Sequence, residues 1–72
     1  MKVKGTVEKK GFGTGAWALV SDDDGTTYEL KDPASELKQE GIKVEVEGKI
    51  RNDVMTIAMI GAVLEIQSYK LL

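Results

Sequence analysis

The sequence predicts one all-β domain, a five-stranded Greek-key barrel with a single short helix between the third and fourth strands. Three features predict it: strict apolar–polar alternation in two segments, an Asp-Gly turn between two further short strands, and an Asp-Pro pair that opens the helical segment. The 72 residues suffice for one domain and leave no room for a second.

Alternation is clearest over residues 42–51, where even positions are apolar or glycine and every odd position is charged. A period of two indicates a strand with one buried and one solvated face. Residues 1–9 show a similar but weaker alternation. Each strand carries a glycine on its apolar face, Gly5 in the first and Gly48 in the second. Glycine there indicates a bend or a close backbone approach, which a small barrel needs at its corners.

A hairpin is predicted from residues 16–21 and 26–31, which flank the turn Asp22-Asp23-Asp24-Gly25. Gly25 can adopt the positive φ that such a turn requires and that other residues resist. The Asp triplet also suggests calcium, but the twelfth residue of the loop is Pro33 where an EF-hand needs a bidentate Glu. We therefore expect a solvated turn and no metal site.

The remaining strands lie near the C-terminus. Residues 61–71 are expected to form the last strand, with Leu64 and Ile66 pointing inward. Residues 54–60 fit either a helical turn or a strand, and the Asn52-Asp53 turn before them favours a strand that pairs back on its predecessor.

The helix is predicted between Asp32 and Gly41. Asp32 can accept hydrogen bonds as the N-cap, and Pro33 stands at the first helical position, where its missing N–H does no harm. Gly41 fits the left-handed position after the helix, with Leu37 and Ile42 as the apolar pair of a Schellman ending. Two turns with one large apolar residue, Leu37, predict a plug over a barrel opening.

Five strands with a helix between the third and the fourth is the element order of the OB fold. The main rival is an SH3-like barrel, which places its helical turn before the last strand. The position of residues 33–40 therefore favours the OB order.

Two motifs carry a resemblance to a known fold family. Val44-x-Val46-x-Gly48-Lys49-Ile50 resembles the fourth-strand pattern of OB-fold proteins, and Gly5-Thr6-Val7 resembles the first-strand pattern. Nearly the whole chain is similar to small uncharacterised prokaryotic OB-like domains. Because these motifs are structural, the resemblance implies a fold and no particular activity.

Composition narrows the possible chemistry. The chain contains no Cys and no His, so it lacks a thiol nucleophile, an imidazole base and the usual zinc ligands. Acid–base catalysis by two carboxylates requires that one has a higher pKa than the other, and nothing in the sequence indicates such a pair. We expect no enzymatic activity, no catalytic residue and no cofactor.

No leader peptide or membrane segment is evident in the sequence. The longest apolar stretch, residues 54–64, is about half a membrane span. We expect a soluble, cytoplasmic protein, although a mature exported fragment would have the same sequence features.

The ligand-binding prediction depends on where the aromatic residues map. OB folds bind through the surface of strands 2 and 3 and the loops after strands 1 and 4, and single strands stack on aromatic side chains there. Seven residues map to that region or its rim: Phe12, Trp17, Tyr28, Lys9, Lys10, Arg51 and Asn52. Core packing is the favoured interpretation for Trp17 and Tyr28. Phe12 lies between glycines in a loop whose spacing misses a dinucleotide fingerprint.

The negative charge of the chain argues against binding of nucleic acid. The net charge is −2, and residues 16–40 carry seven carboxylates against two lysines, partly on the predicted hairpin. The leading hypothesis is a monomeric, non-enzymatic binding module for single-stranded nucleic acid. The alternative is a protein-interaction or assembly domain, suggested by the acidic middle segment and the long apolar stretch.

Overall fold

The structure is a computed structural model that describes residues 1–10, 16–52 and 61–72. Within these residues it contains five strands and one 3-10 turn, Ser35–Leu37, which lies between the third and fourth strands. The strands are β1 (Lys2–Lys10), β2 (Ala16–Ser21), β3 (Thr27–Lys31), β4 (Lys43–Arg51) and β5 (Ala62–Leu71). The strand that we predicted over residues 54–60 lies outside the described residues.

The five strands close into a barrel in the order β1-β2-β3-β5-β4, with β4 paired back to β1. The β3–β5 pair is parallel and every other pair is antiparallel. The predicted all-β barrel is therefore confirmed, and its strand order is compatible with an OB-like fold. Closure gives each of these strands two neighbours.

Gly5 and Gly48 each lie where the backbone of the neighbouring strand comes close. Gly5 pairs with both Ser21 and Val44, because β1 uses its first half for β4 and its second half for β2. A Cβ at Gly5 would overlap the carbonyl oxygen of Val20, and one at Gly48 would overlap that of Glu65. The predicted role of both glycines is confirmed.

The inward faces of the strands form the core. Its fully buried side chains include three leucines and three valines: Leu19, Leu37, Leu64, Val7, Val44 and Val46. Ile66 also packs against this cluster, as predicted, but is only partly buried. A register shift opposite Glu47 and Gly48 leaves Gln67 as an extra residue in β5. The shift changes the inward parity, so Tyr69 also packs against the core.

The predicted two-turn helix is wrong in length and in its caps. Only one 3-10 turn forms, the residue before it is Ala34, and no side chain caps it. Asp32 instead takes a positive φ of 48°. Gly41 does have a positive φ, 89°, but its N–H donates to the carbonyl of Val7 at 2.7 Å and not to a helix carbonyl. Pairing with β1 therefore replaces the helical ending.

The plug itself is confirmed. Leu37 is fully buried and belongs to the same core cluster as Leu30, near the end of β3. The chain after Leu37 returns along β1, where the N–H of Val7 donates to the carbonyl of Ile42 at 2.9 Å. The segment thus covers the barrel end formed by the last residues of β1 and β3. No helix within the described ranges is long and apolar enough to cross a membrane.

Candidate ligand-binding surface

Trp17 lies in β2 directly opposite Lys9 in β1, near the plugged end of the barrel. It has the same parity as the buried Leu19, and its partly buried ring packs against the core. The Nζ atom of Lys9 lies over this ring, 5.9 Å from its centroid. This distance permits a cation–π interaction. Trp17 therefore packs inward and also presents part of its surface beside an ammonium group.

Tyr28 also faces the core. It pairs with Leu19 in β2 and Ala62 in β5, and its partly buried ring packs against the central cluster. Alternation places Tyr28 two residues further from the plugged end than Trp17. The packing favoured for both residues is therefore observed.

Two further lysines flank Ala16, the residue before Trp17, on the face of β2 opposite to the indole. Lys10 pairs with Ala16, and its Nζ lies 3.4 Å from Oε1 of Glu8. Continuing the β2–β3 register places Lys31 on the other side of Ala16, with its Nζ 3.1 Å from Asp32. Lys31 is not among the predicted site residues, although the predicted hairpin already places it at the end of its second strand. We name this end of the β1–β2 pair, with Lys9, Lys10, Ala16 and Trp17, the lysine–tryptophan end.

The acidic turn lies at the other end of the hairpin. Asp22 is five residues from Trp17 along β2, about 16 Å at the rise of a strand. Its carboxylate is paired with Lys43 at 2.8 Å. The Asp24 Oδ1 atom accepts the N–H of Thr26 at 3.0 Å, and this hydrogen bond lowers the pKa of Asp24. The three aspartates of the turn are thus separated from the lysine–tryptophan end, whereas Asp32 lies beside Lys31 at that end.

No cluster of three or more acidic ligands that could hold a metal ion occurs among residues 1–10, 16–52 and 61–72.

Arg51 and Asn52 lie at the end of β4, apart from the lysine–tryptophan end. A cross-strand row on the outer surface runs through Glu8, Ala18, Glu29, Val63 and Arg51. β4 also pairs directly with β1, but Glu47 already lies opposite Lys2, so Arg51 lies beyond the end of β1 that is opposite to Lys9 and Lys10. Arg51 forms an ion pair with Glu65, and Asn52 is exposed. The structure does not bring these two predicted residues together with Lys9 and Lys10, and Phe12 lies outside the described residues.

The middle of this outer row is already buried. Ala18, Glu29 and Val63 are 0%, 7% and 6% exposed, although their parity points them away from the barrel interior. The centre of the strand 2–3 surface is therefore closed to direct contact. Val63 and Leu64, which belong to the apolar stretch noted in the sequence, are both buried in the barrel fold.

An open groove of about 180 Å³ lies on the opposite side, over β1, β4 and β5. Lys2 bridges Glu45 and Glu47 there at 3.9 Å each, so charges of both signs balance. At the groove wall the Tyr69 hydroxyl donates to Glu36 at 3.3 Å. Burial, followed by the charge of Glu36, raises the pKa of Tyr69. The mixed charges give this groove no net attraction for an anion.

Comparison with protein-family models, curated proteins and solved structures finds no significant match to this chain. Its function must therefore be argued from the site alone.

Proposed function

We propose that this protein is an OB-like, non-enzymatic binding module for single-stranded nucleic acid. The proposed contacts are Lys9, Lys10 and Trp17. The observation that carries the proposal is the separation of charge along the hairpin. Cations and a partly exposed indole lie at one end of β2, and the Asp turn lies about 16 Å away at the other.

Each group has a chemical task in this proposal. A base can stack on the exposed part of Trp17, an interaction worth about 1–3 kcal/mol per base in other proteins. The ammonium groups of Lys9 and Lys10 attract the adjoining phosphates, and Lys9 also lies over the indole. Because so few cations are present, affinity for duplex DNA should be low.

The proposal predicts a local response to short oligonucleotides. Titration of labelled protein with DNA and RNA oligomers at low salt should move the amide signals of Lys9, Lys10 and Trp17 and quench the indole fluorescence. A Lys9→Gln/Lys10→Gln double variant should raise Kd about fivefold and reduce the salt slope by about 1.4, since each single-strand phosphate contact contributes about 0.7. Both lysines lie on the surface, so the fold should be retained.

The matched control is Lys2→Gln/Lys70→Gln, which removes the same charge at the opposite groove. This control should bind like the wild type. Equal weakening of both double variants would mean that only net charge matters. Absence of any shift near Trp17 at millimolar oligomer would refute the proposal and favour the protein-interaction alternative.

A further inference from the structure

Two carboxylates lie next to the lysine–tryptophan end, on either side of one small residue. Ala18 pairs with Glu8 in β1 and with Glu29 in β3. The three residues therefore form one row across the strands on the outer surface, which we name the acidic step. Lys10 and Ala16 form the neighbouring step toward the plugged end. A ligand strand leaving the lysines toward the hairpin turn must therefore pass this acidic step.

Burial makes the step harder to cross. Ala18 is fully buried and Glu29 is 7% exposed, so no open floor for a base exists there. Glu8 is the solvent-facing member, with a side chain 40% exposed and one oxygen 3.4 Å from Lys10 Nζ. A phosphate that moves beyond Lys10 loses that cation and approaches the carboxylate of Glu8.

We infer that Glu8 sets the length of the bound segment by confining a polyanion to the lysine–tryptophan end. This inference rests on the proposed function. The occupied segment is about two or three nucleotides, fewer than the roughly 4–16 that an OB fold usually occupies. Glu8 also competes with phosphate for Lys10, so its carboxylate is a specificity-determining group and not merely a surface charge.

The experiment measures Kd for thymidylate oligomers of about 3, 6 and 12 nucleotides at fixed low salt. Wild-type affinity should rise with oligomer length only in proportion to the number of positions along the oligomer at which the site can bind. Glu8→Gln should bind the longest oligomer about threefold tighter than wild type, the effect of one charge about 7 Å away in water. The shortest oligomer should gain less from this substitution.

Glu47→Gln is the control, because it removes an equal charge from an exposed glutamate on the opposite groove. It should leave every Kd unchanged. If wild-type affinity rises with length by much more than this number of positions, the inference is wrong while the proposed function stands. The same conclusion follows if Glu8→Gln behaves like Glu47→Gln. No binding by wild type at any length overturns both. If Glu8→Gln does not fold, the wild-type length series still decides the question.

Discussion

A Gly48→Ala variant should lose about 3 kcal/mol or more of its free energy of unfolding, the upper range for forcing extra volume into a packed site. The added methyl group would overlap the carbonyl oxygen of Glu65. A backbone carbonyl in a paired strand cannot rotate away as a side chain can, so β4 and β5 must separate at their bulge. A domain of this size holds only about 4–11 kcal/mol in total, and the loss should be evident in any unfolding curve.

Urea unfolding followed by circular dichroism and Trp17 fluorescence measures this loss. Gly25→Asn is the control, because Gly25 has a positive φ of 74° but open space around it. Asn tolerates that conformation, so the control should lose less than about 1 kcal/mol. A Gly48→Ala variant as stable as this control would show that β4 and β5 are not in contact at Gly48.

Leu37→Ala should cost about 2–5 kcal/mol, the range for removing a fully buried leucine. Leu37 is the only buried residue of the 3-10 turn, and it contacts the core through the end of the barrel. Its loss leaves a cavity beneath a segment that is otherwise held by the hydrogen bond between Tyr69 and Glu36 and by the bonds of Gly41 and Ile42 to Val7. The melting temperature should fall, and amide exchange at residues 35–42 should accelerate.

Lys38→Ala is the natural comparison, because Lys38 is the exposed neighbour of Leu37. Its unfolding free energy should stay within about 0.5 kcal/mol of wild type. Equal stability of the two variants would mean that the turn does not close the barrel.

The strands were predictable because their signal is strictly local. Over residues 42–51 all charged side chains lie on one face of the strand, so only the other face can be buried. The structure buries Val44, Val46 and Gly48 as expected. Gly5 and Gly48 were recognisable because an apolar face has few other reasons to contain a glycine. Closure itself required the element order as well, since alternation alone does not distinguish a barrel from an open sheet.

The helix was mispredicted because tertiary pairing opposed its local signals. Asp32, Pro33 and Gly41 fit helix termini, yet Gly41 and Ile42 bond to Val7 in β1. These bonds extend the barrel ladder and take the Gly41 N–H away from the carbonyl that a helical ending would supply. The register shift at Gln67 was equally invisible, because a one-residue insertion depends on the fit between β4 and β5.

The candidate site was predicted only in part. The two-residue spacing of Glu8 and Lys10 already placed them on one strand face, but its consequence for a ligand was missed. The sequence prediction assigns the acidic residues to the whole hairpin, whereas the length of β2 separates the Asp turn from Trp17. The sequence prediction places Arg51 on the same rim as Lys10, but the antiparallel pairing of β1 with β4 puts the end of β4 at the opposite end of the barrel.

Barrel closure is the claim on which the position of every proposed contact depends, and a nuclear Overhauser spectrum of labelled protein tests it directly. Backbone proton contacts should connect Val3 to Val46 across β1 and β4, and Leu30 to Leu64 across the parallel pair β3 and β5. Observing both sets together with the β1–β2, β2–β3 and β4–β5 contacts demonstrates a closed barrel. A spectrum with the β1–β2 contacts but none between β1 and β4 would indicate an open sheet and contradict the account.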